Sequence, residues 1–511
     1  MSEPQQQSFF DWEDANPLLN GIPLGLNFDT LGVLLAHDPR LLWEGEVPAL
    51  TRLPRLIARI RRLFVVTKIA IEFGLQFFEV LIEGLEARDP RLAHNRARLF
   101  ETGRFKGMAL SKLPWFSTSA AGIVLEGITG TSKSFTVQRL LQLLPQKITH
   151  AHSEEYGWKG LDQLVYLVVP MPSSARLGAF LLETAIRMDA VLGTRYADAL
   201  RSRDLSDDKR AVLVLHWLSI HRCGMLIIEE CQERNLPQQV FGNDFLSLFL
   251  RVMNWGIPVL VIGNPKALHA IRTFTQDGRR FSAGHWFTFE PIWDYRATAW
   301  TRDLVPRIWK WTPMNGEDQH IANLELFLWQ KTGGIPDFLV LLRKESLKSA
   351  LRAGRDFVTQ SDIEAAYKGR AMSVNHPLIR ALVTFDAGKL SALTDIPGEA
   401  IIARWKDLGF LAQAARQPPS TPDAAARGDN DSTGSNQVPL PATPKRRSKP
   451  IAPATPESAQ PPPALPTADA AGASSGTDPS SAGEHHAPDQ HLDRRGAAFR
   501  QLLVKPKARP S

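Results

Sequence analysis

Cysteine and long apolar runs are both scarce in this chain of 511 residues. Its two cysteines, Cys223 and Cys231, cannot build a disulfide framework, and this favours a reducing compartment. No uncharged apolar run reaches the length of about 18 residues that a membrane-spanning helix needs, since Lys68 and Glu72 interrupt the stretch LFVVTKIAIEF. The polar, acidic start MSEPQQQSFFDWEDANP is unlike a signal peptide. We therefore expect a cytoplasmic protein without a membrane segment.

Aromatic residues are nearly absent from the segment Gln417 to Ser511, where Phe499 stands alone. This segment holds 17 of the 37 prolines and none of the 13 tryptophans. Such a composition buries too little apolar surface to offset the conformational entropy of the chain. We therefore predict a disordered Pro/Ala/Ser-rich tail over residues 416–511.

Positive charge is in modest excess, with a net charge of +7 and a pI of about 9.4. A basic balance is typical of nucleic-acid-binding proteins, but it also describes an ordinary solvated surface. Residues 1–50 are interpreted as a partly ordered arm. Residues 51–115 form a basic helical region, in which helical periodicity from Leu53 to Glu86 begins with RLPRLIARIRRLF. Its arginines either cover a solvated helix face or contact nucleic acid or a partner.

Short apolar runs alternate with longer helical patterns after residue 116. The strand candidates are GIVLE at 122–126, LVYLVV at 164–169, MLIIE at 225–229, PVLVIG at 258–263 and WFTFE at 286–290. These runs lack polar alternation, which indicates a parallel sheet buried on both faces. We predict an α/β three-layer domain over residues 116–293. Strand patterns end near Asp294, and residues 294–415 are predicted to form a small α-helical lid domain.

The segment GITGTSKS follows the first strand candidate and opens a helix, as a phosphate-binding loop does. Backbone N–H groups and the helix N-terminus hold phosphates in such loops. Lys133 would reach the outer phosphates of ATP, and the Ser134 hydroxyl would bind Mg²⁺. Ser132 departs from the GxxxxGK[ST] pattern, which has Gly at that position. The predicted nucleotide-binding residues are Gly127, Thr129, Gly130, Thr131, Ser132, Lys133, Ser134 and Phe135.

Polar residues follow two later strand candidates. MLIIEE ends in Glu229 and Glu230, and a carboxylate pair at this place typically serves the metal and the attacking water. We assign Glu229 to Mg²⁺, together with Ser134, and Glu230 to catalysis. Asn264 follows the next strand and would sense the γ-phosphate. Arg279 and Arg280 are alternative arginine fingers that would reach the ATP of a neighbouring subunit.

Order and spacing of these motifs resemble an AAA+ ATPase. Further segments narrow the resemblance: LPQKITHAH, DQLVYLVVPMPSSARL, MDAVLGTRYA, IPVLVIGNPKAL and KTGGIPDFLVLLRKESLKSAL. The series is similar to TnsC/TniB-type ATPases of transposons, over about Glu72 to Leu382. The start of the TGGIPD helix lacks the arginine that many AAA+ proteins use as a second sensor; Arg343 comes two turns later.

The resemblance implies an ATP- and Mg²⁺-dependent regulator of transposition. Such proteins assemble as homo-oligomeric rings or filaments on double-stranded DNA, recruit a transposase and are guided by a TnsD/TniQ-type target-site protein. ATP hydrolysis would then drive disassembly. Two alternatives stay open. The departures at Ser132 and Glu229 also fit an ATP-binding scaffold with little turnover, and the motif order also fits a helicase-loader or initiator-like AAA+ ATPase.

Overall fold

A computed structural model describes residues 16–39, 49–114, 120–174, 176–202, 204–231, 241–268, 271, 281, 283–393 and 396–411. The predicted tail and both candidate finger arginines, Arg279 and Arg280, lie outside these residues. Within them, no helix is both long enough and apolar enough to cross a membrane.

A five-stranded parallel sheet forms the centre of the α/β domain. The described strands are β1 Gly122–Gly127, β2 Lys147–His150, β3 Leu161–Leu164, β4 Tyr166–Pro170, β5 Met225–Cys231, β6 Val259–Gly263 and β7 Trp286–Phe289. The order in the large sheet is β4-β5-β6-β1-β7, and all four pairings are parallel. Every strand of this sheet was predicted from its apolar run. β2 and β3 form a separate antiparallel pair.

Both faces of the sheet are buried, because alternate residues of each strand enter two different cores. Val124 of β1 packs into one core, whereas Ile123 and Leu125 pack into the other. Strands β5 and β6 alternate in the same way. Helices cover each face, so the α/β three-layer architecture with a parallel sheet that the sequence predicts is confirmed.

The helices of the first part of the chain supply these two layers. They are α1 Phe28–Leu35, α2 Ala49–Ile60, α3 Lys68–Glu86, α4 Ala93–Arg104, α5 Lys133–Leu141, α6 Leu177–Leu192, α7 Tyr196–Leu200, α8 Asp207–Ile220 and α9 Phe241–Asn254. Helices α6, α8 and α9 contribute to one core, and α1, α3 and α5 contribute to the other. Short 3-10 turns at Pro17–Leu19 and Leu110–Lys112 complete this part.

A helical bundle follows β7, as predicted. After a π-helical turn at Ala299–Leu304 it contains α10 Val305–Trp309, α11 Leu324–Thr332, α12 Pro336–Arg352, α13 Gln360–Lys368, α14 Arg370–Ser373, α15 His376–Thr384, α16 Ala387–Ser391 and α17 Gly398–Asp407. The Thr359 side chain caps α13 in a capping box with Asp362. These helices enclose a third core.

The N-terminal helix α2 belongs to this third core. Its Leu56 and Ile60 are fully buried there. Arg52 is buried as well: its Nη1 donates to Asp356 Oδ1 at 2.6 Å and to the Pro313 carbonyl at 2.9 Å. Arg52 therefore ties α2 to the bundle, while Arg59 and Arg62 stay exposed.

The long helical pattern from Leu53 to Glu86 is two helices, α2 and α3, with an extended link between them. Phe64 in the link forms a β-bridge with His37: each backbone N–H donates to the other's carbonyl, at 2.9 and 3.1 Å. The link is apolar enough to continue the helical pattern, but its backbone is paired with a distant segment instead. Sequence periodicity does not register such a non-local contact.

Candidate functional site

The predicted site residues lie at the carboxyl edge of the large sheet. The phosphate loop begins where β1 ends, the carboxylate pair closes β5, and Asn264 follows β6. Strands β5, β6 and β1 are adjacent and parallel, so their carboxyl ends share one edge. The fold thereby brings the loop, the carboxylates and Asn264 to the edge where α/β proteins bind their ligands.

The phosphate loop joins β1 to α5 and is held by its own side chains. Lys133 Nζ donates to the carbonyls of Gly127 at 2.8 Å and Ile128 at 2.9 Å. Thr131 Oγ1 also donates to the Ile128 carbonyl, at 2.8 Å, so its hydroxyl points into the loop. Thr131 would therefore contribute its backbone N–H to a ligand. Ser134 is exposed in the first turn of α5, where it is accessible to a metal.

Ser132 adopts the left-handed backbone conformation that the sequence pattern reserves for glycine. Its φ is 68° and its ψ is 17°. A side chain in this region strains the backbone by about 1 kcal/mol or more, because Cβ crowds the neighbouring carbonyl. Ser132 is the first residue before α5, and its carbonyl accepts from both the backbone N–H and the hydroxyl of Thr136, which holds this backbone in place.

Replacing Ser132 with Gly is expected to raise the free energy of unfolding by about 1 kcal/mol, because glycine removes the strain. Thermal or urea unfolding measures the change. The matched control is Ser134→Gly, which lies in α5 with φ below zero and should lose about 0.5–1 kcal/mol. Equal destabilisation by the two glycines would show that the loop stores no strain at Ser132.

The Lys133 ammonium is largely withdrawn from water. Burial lowers the pKa of Lys133 from 10.5 to about 8, and the nearby Glu126 carboxylate partly raises it again. Glu126 is buried in β1, directly before the loop, and accepts from Thr288 Oγ1 at 2.9 Å. A phosphate would favour the charged lysine, so nucleotide binding should raise this pKa.

We therefore expect ATP affinity to weaken above about pH 8. Below that pH Lys133 is already charged. Above it, binding must take up a proton, so the dissociation constant should rise by up to about tenfold per pH unit. Titrations at pH 7, 8 and 9 measure this slope. Lys133→Arg is the control, since its guanidinium stays charged and its profile should be flat. Equal slopes would assign the effect to another group.

The carboxylate pair sits in a β-bulge. Ile228 pairs with Val261 and Cys231 pairs with Gly263, so Glu229 and Glu230 face a single residue of β6. Glu230 has a φ of 58°, which costs about 1–3 kcal/mol for a side chain of this kind. The bulge re-aims the strand end and leaves Glu230 exposed. Such strain is frequent at functional sites.

Glu229 is half-buried, unlike its neighbour. Burial and the charge of Glu230 raise the pKa of Glu229, and Arg187 of α6 lowers it in part. The two glutamates therefore differ in environment: one is desolvated and the other is open to water. The separate roles that the sequence predicts, metal for Glu229 and water for Glu230, stay predictions.

The helical bundle docks directly on the phosphate loop through the TGGIPD segment. The Asp337 backbone N–H donates to the Gly130 carbonyl at 3.2 Å, and the Ile292 N–H donates to the Gly334 carbonyl at 2.9 Å. Gly334 has a φ of 71°, and a Cβ there would meet the Ile292 oxygen at 2.1 Å. Only glycine allows this approach, which explains the second glycine of the motif.

A cavity of about 380 Å³ lies between the loop and the bundle, in the size range of ligand pockets. Most of its wall is apolar, and two basic side chains and one acid face it. The lining residues are Arg61, Leu63, Phe64, Val65, Ser132, Phe135, Leu304, Ile308, Pro336, Asp337, Val340, Leu341 and Lys344. Phe64 and Phe135 meet edge to face at 5.1 Å between ring centroids. A mostly apolar wall with a few charged side chains suits a nucleotide, whose aromatic base would contact the apolar part.

Two residues of this region, Lys344 and Glu126, were missed by the sequence analysis. Lys344 of α12 lines the cavity, while Arg343 is fully buried, paired with Asp318 at 2.7 Å and stacked over Trp309. Arg343 is therefore structural. The cavity face of α12 follows helical spacing from Asp337 to Lys344, a signal that was available in the sequence. Glu126 was not singled out, because it lies inside an apolar strand.

The motif DAVLGTRY has a structural role of its own. Asp189 accepts from the Thr194 hydroxyl and from the backbone N–H groups of Tyr196 and Ala197, at 2.6 to 2.9 Å. It thereby fixes the turn between α6 and α7.

Of the described residues, no group of three His, Cys, Asp or Glu side chains could hold a metal ion alone. Mg²⁺ at Ser134 and Glu229 would need phosphate oxygens as further ligands.

No protein-family model and no curated protein matches the chain. Among solved structures it is similar to Cdc6p from Pyrobaculum aerophilum, at 16% identity over 54% of this chain and 66% of that one, just under two thirds, with a TM-score of 0.33. It is also similar to Aeropyrum pernix ORC1 in complex with DNA, at 20% identity over 64% and 82%, with a TM-score of 0.33. Aeropyrum pernix ORC2, solved as ADPNP and ADP complexes, shares 14% identity over 61% and 79%, with a TM-score of 0.32. Similarity this weak is not used to assign the site residues, which are assigned from the geometry described above.

Proposed function

We propose that the chain is an ATPase that binds ATP between the phosphate loop and the helical bundle and uses it to control assembly on double-stranded DNA. One observation carries the proposal. The loop, the carboxylate bulge and Asn264 share one edge of the sheet, and the bundle closes a cavity of about 380 Å³ over that loop. The nucleotide would therefore contact both the phosphate loop and the helical bundle, so its hydrolysis would change the contacts of both.

The residues present fit a nucleoside triphosphate. The loop with its left-handed Ser132 leads directly into α5, and a helix N-terminus favours phosphate groups. Lys133 supplies the charge for the outer phosphates, and Phe64 and Phe135 offer an apolar wall for the base. Bound Mg²⁺ would neutralise phosphate charge, held by Ser134 and Glu229.

The exposed Glu230 is assigned to the attacking water. Its carboxylate would accept a proton from water as the γ-phosphate bond breaks. Asn264 follows the neighbouring strand and would report the γ-phosphate; its Oδ1 accepts from the Lys266 N–H at 3.2 Å, which fixes the turn after β6. An arginine finger at Arg279 or Arg280 would complete the site from a neighbouring subunit.

The biological output has two candidate forms. The first is a TnsC/TniB-type regulator that joins a TnsD/TniQ-type target-site protein to a transposase, and it rests on the sequence resemblance alone. The second is an initiator-like or helicase-loading ATPase. The solved Cdc6p, ORC1 and ORC2 structures stand nearer to this second form, and one of them contains DNA. Similarity of this strength does not distinguish the two forms. Co-purification with the transposase of the same element would support the first form.

Turnover measured against protein concentration, with and without duplex DNA and at two salt levels, tests the shared mechanism. If neighbouring subunits complete the site, the rate per subunit should rise with concentration and with DNA. DNA stimulation should fall steeply with salt, by counterion release. Alanine at Arg279 or at Arg280 should remove turnover and assembly but leave ATP binding intact. A monomer with a constant rate per subunit would overturn the assembly mechanism.

An ATP-binding scaffold with little turnover is the remaining alternative, and the backbone strain at Ser132 and Glu230 is the observation that favours it. Steady-state phosphate release separates the two. Binding of ATP without measurable release, at saturating DNA and protein, would replace the ATPase with the scaffold.

A further inference from the structure

Three arginines meet at the amino edge of the large sheet, opposite the edge that carries the phosphate loop. Arg88 follows α3, Arg98 lies in α4, and Arg222 lies in the turn between α8 and β5. They line a cavity of about 30 Å³ together with Asn95, Ser219 and Trp255. This volume admits a small group of about two water molecules' size, and it is too small for a nucleotide.

Two of the arginines are fixed by backbone carbonyls. Arg88 donates to the carbonyls of Gly84 at 2.8 Å and Cys223 at 2.7 Å, and Arg98 donates to the Asn254 carbonyl at 2.9 Å. Both residues are thereby held in place before any ligand arrives. Arg222 is different, because it is only 5% exposed and its Nε has no hydrogen-bond partner.

None of the described residues that line this cavity is acidic. In the described part of the chain, neither Arg88 nor Arg222 forms an ion pair with an acidic side chain. Burial, together with the charges of Arg222 and Arg98 and against a raising effect of Cys223, lowers the pKa of Arg88 to about 9. Burial also lowers the pKa of Arg222 and of Arg98, each to about 10. Buried charges without a counter-charge are costly, so a bound anion would stabilise this arrangement.

We propose that this arginine pocket binds one oxyanion of the phosphate class, either free phosphate or a phosphodiester of a nucleic-acid backbone. Guanidinium groups bind phosphate oxygens through paired N–H donors, and three of them approach the cavity from three different elements. Arg88 and Arg222 have no acidic partner among the described residues, and a phosphate group would offset their charge. The inference stands apart from the proposed ATPase, since the pocket shares no residue with that site.

Thermal unfolding of the full chain in inorganic phosphate, against chloride at equal ionic strength, tests the proposal. Arg222→Gln removes the guanidinium that has no hydrogen-bond partner at its Nε. Arg201→Gln removes an exposed arginine of the same charge, and Lys133→Ala disables the phosphate loop. Phosphate stabilises proteins in general, so only differences among variants count. We expect the wild type, Arg201→Gln and Lys133→Ala to share a saturable rise in Tm, with an apparent Kd at least about tenfold weaker in Arg222→Gln.

Two results would overturn the inference. One is an equal response in all four proteins; the other is a response lost in Lys133→Ala and kept in Arg222→Gln, which would assign phosphate to the loop. A short duplex DNA identifies the source of the anion. If Arg222→Gln binds the duplex more weakly than Arg201→Gln, the pocket holds a backbone phosphate. If both bind it equally while the phosphate response is lost, the pocket holds the free ion.

Discussion

Replacing Glu230 with Gln is expected to leave ATP binding unchanged and to lower ATP turnover by about 100-fold or more. The amide has the shape of the carboxylate but accepts no proton from the attacking water, and general-base catalysis typically contributes about 10²- to 10⁴-fold. The exposed position of Glu230 means that the change should disturb little packing. Steady-state phosphate release measures turnover, and equilibrium titration with ATP measures binding.

Glu229→Gln is the matched control for this experiment. It alters the half-buried neighbour that we assign to Mg²⁺, so its loss of activity should recover as the Mg²⁺ concentration is raised. Loss at Glu230 should not recover, because Mg²⁺ does not replace a base. Normal hydrolysis by Glu230→Gln, or its rescue by Mg²⁺, would show that the two roles are assigned the wrong way.

Replacing Lys133 with Ala is expected to weaken ATP binding by about 100-fold or more. Each hydrogen bond from a charged donor is worth about 1.5–3 kcal/mol, and this ammonium would make at least one to the outer phosphates while it offsets their charge. In this structure the ammonium donates hydrogen bonds to two loop carbonyls, and water can donate to these carbonyls once the side chain is removed. The fold should therefore survive with a small change in Tm.

Lys209→Ala controls for the loss of one positive charge. Lys209 is exposed on α8, and its removal should leave the ATP affinity within about twofold of the wild type, as expected for a distant surface charge. If the affinity of Lys133→Ala stays at the wild-type value, the phosphate-loop assignment is wrong. If affinity is lost together with cooperative unfolding, the variant has lost its fold, and Lys133→Arg then serves as the milder substitution.

The large sheet was predictable because its strands are short, apolar on both faces and separated by helical patterns. The site edge followed from it, since loop, carboxylates and Asn264 each came directly after a predicted strand. The helical pattern after residue 294 was predictable for the same local reasons. These features depend on residues close together in the chain, and hydrophobic periodicity reflects such local patterns well.

Features that depend on distant contacts were not predictable. The break between α2 and α3 exists because Phe64 pairs with His37, and the burial of Arg52 depends on Asp356, more than 300 residues away. Strand β2 is short and its residues are exposed or half-buried, and β3 has two polar residues between its leucines, so neither leaves an apolar run to recognise. The cavity wall combines α12 with the segment before α3, which only the folded chain brings together.

Backbone strain was not predictable in detail. The sequence showed only that Ser132 replaces a glycine of the pattern, and the left-handed conformation at that position is a property of the folded loop. Glu230 looked like an ordinary strand end until the bulge placed it at a φ of 58°. Both residues belong to the candidate site, where strain is maintained by surrounding structure.

A structure of the protein with a non-hydrolysable ATP analogue and Mg²⁺ tests the central claim most directly. We predict that Lys133 Nζ leaves the carbonyls of Gly127 and Ile128 and lies within hydrogen-bond distance of the outer phosphates. The base should occupy the cavity beside Phe64 and Phe135. A nucleotide bound elsewhere, with Lys133 still on the two carbonyls, would contradict the account.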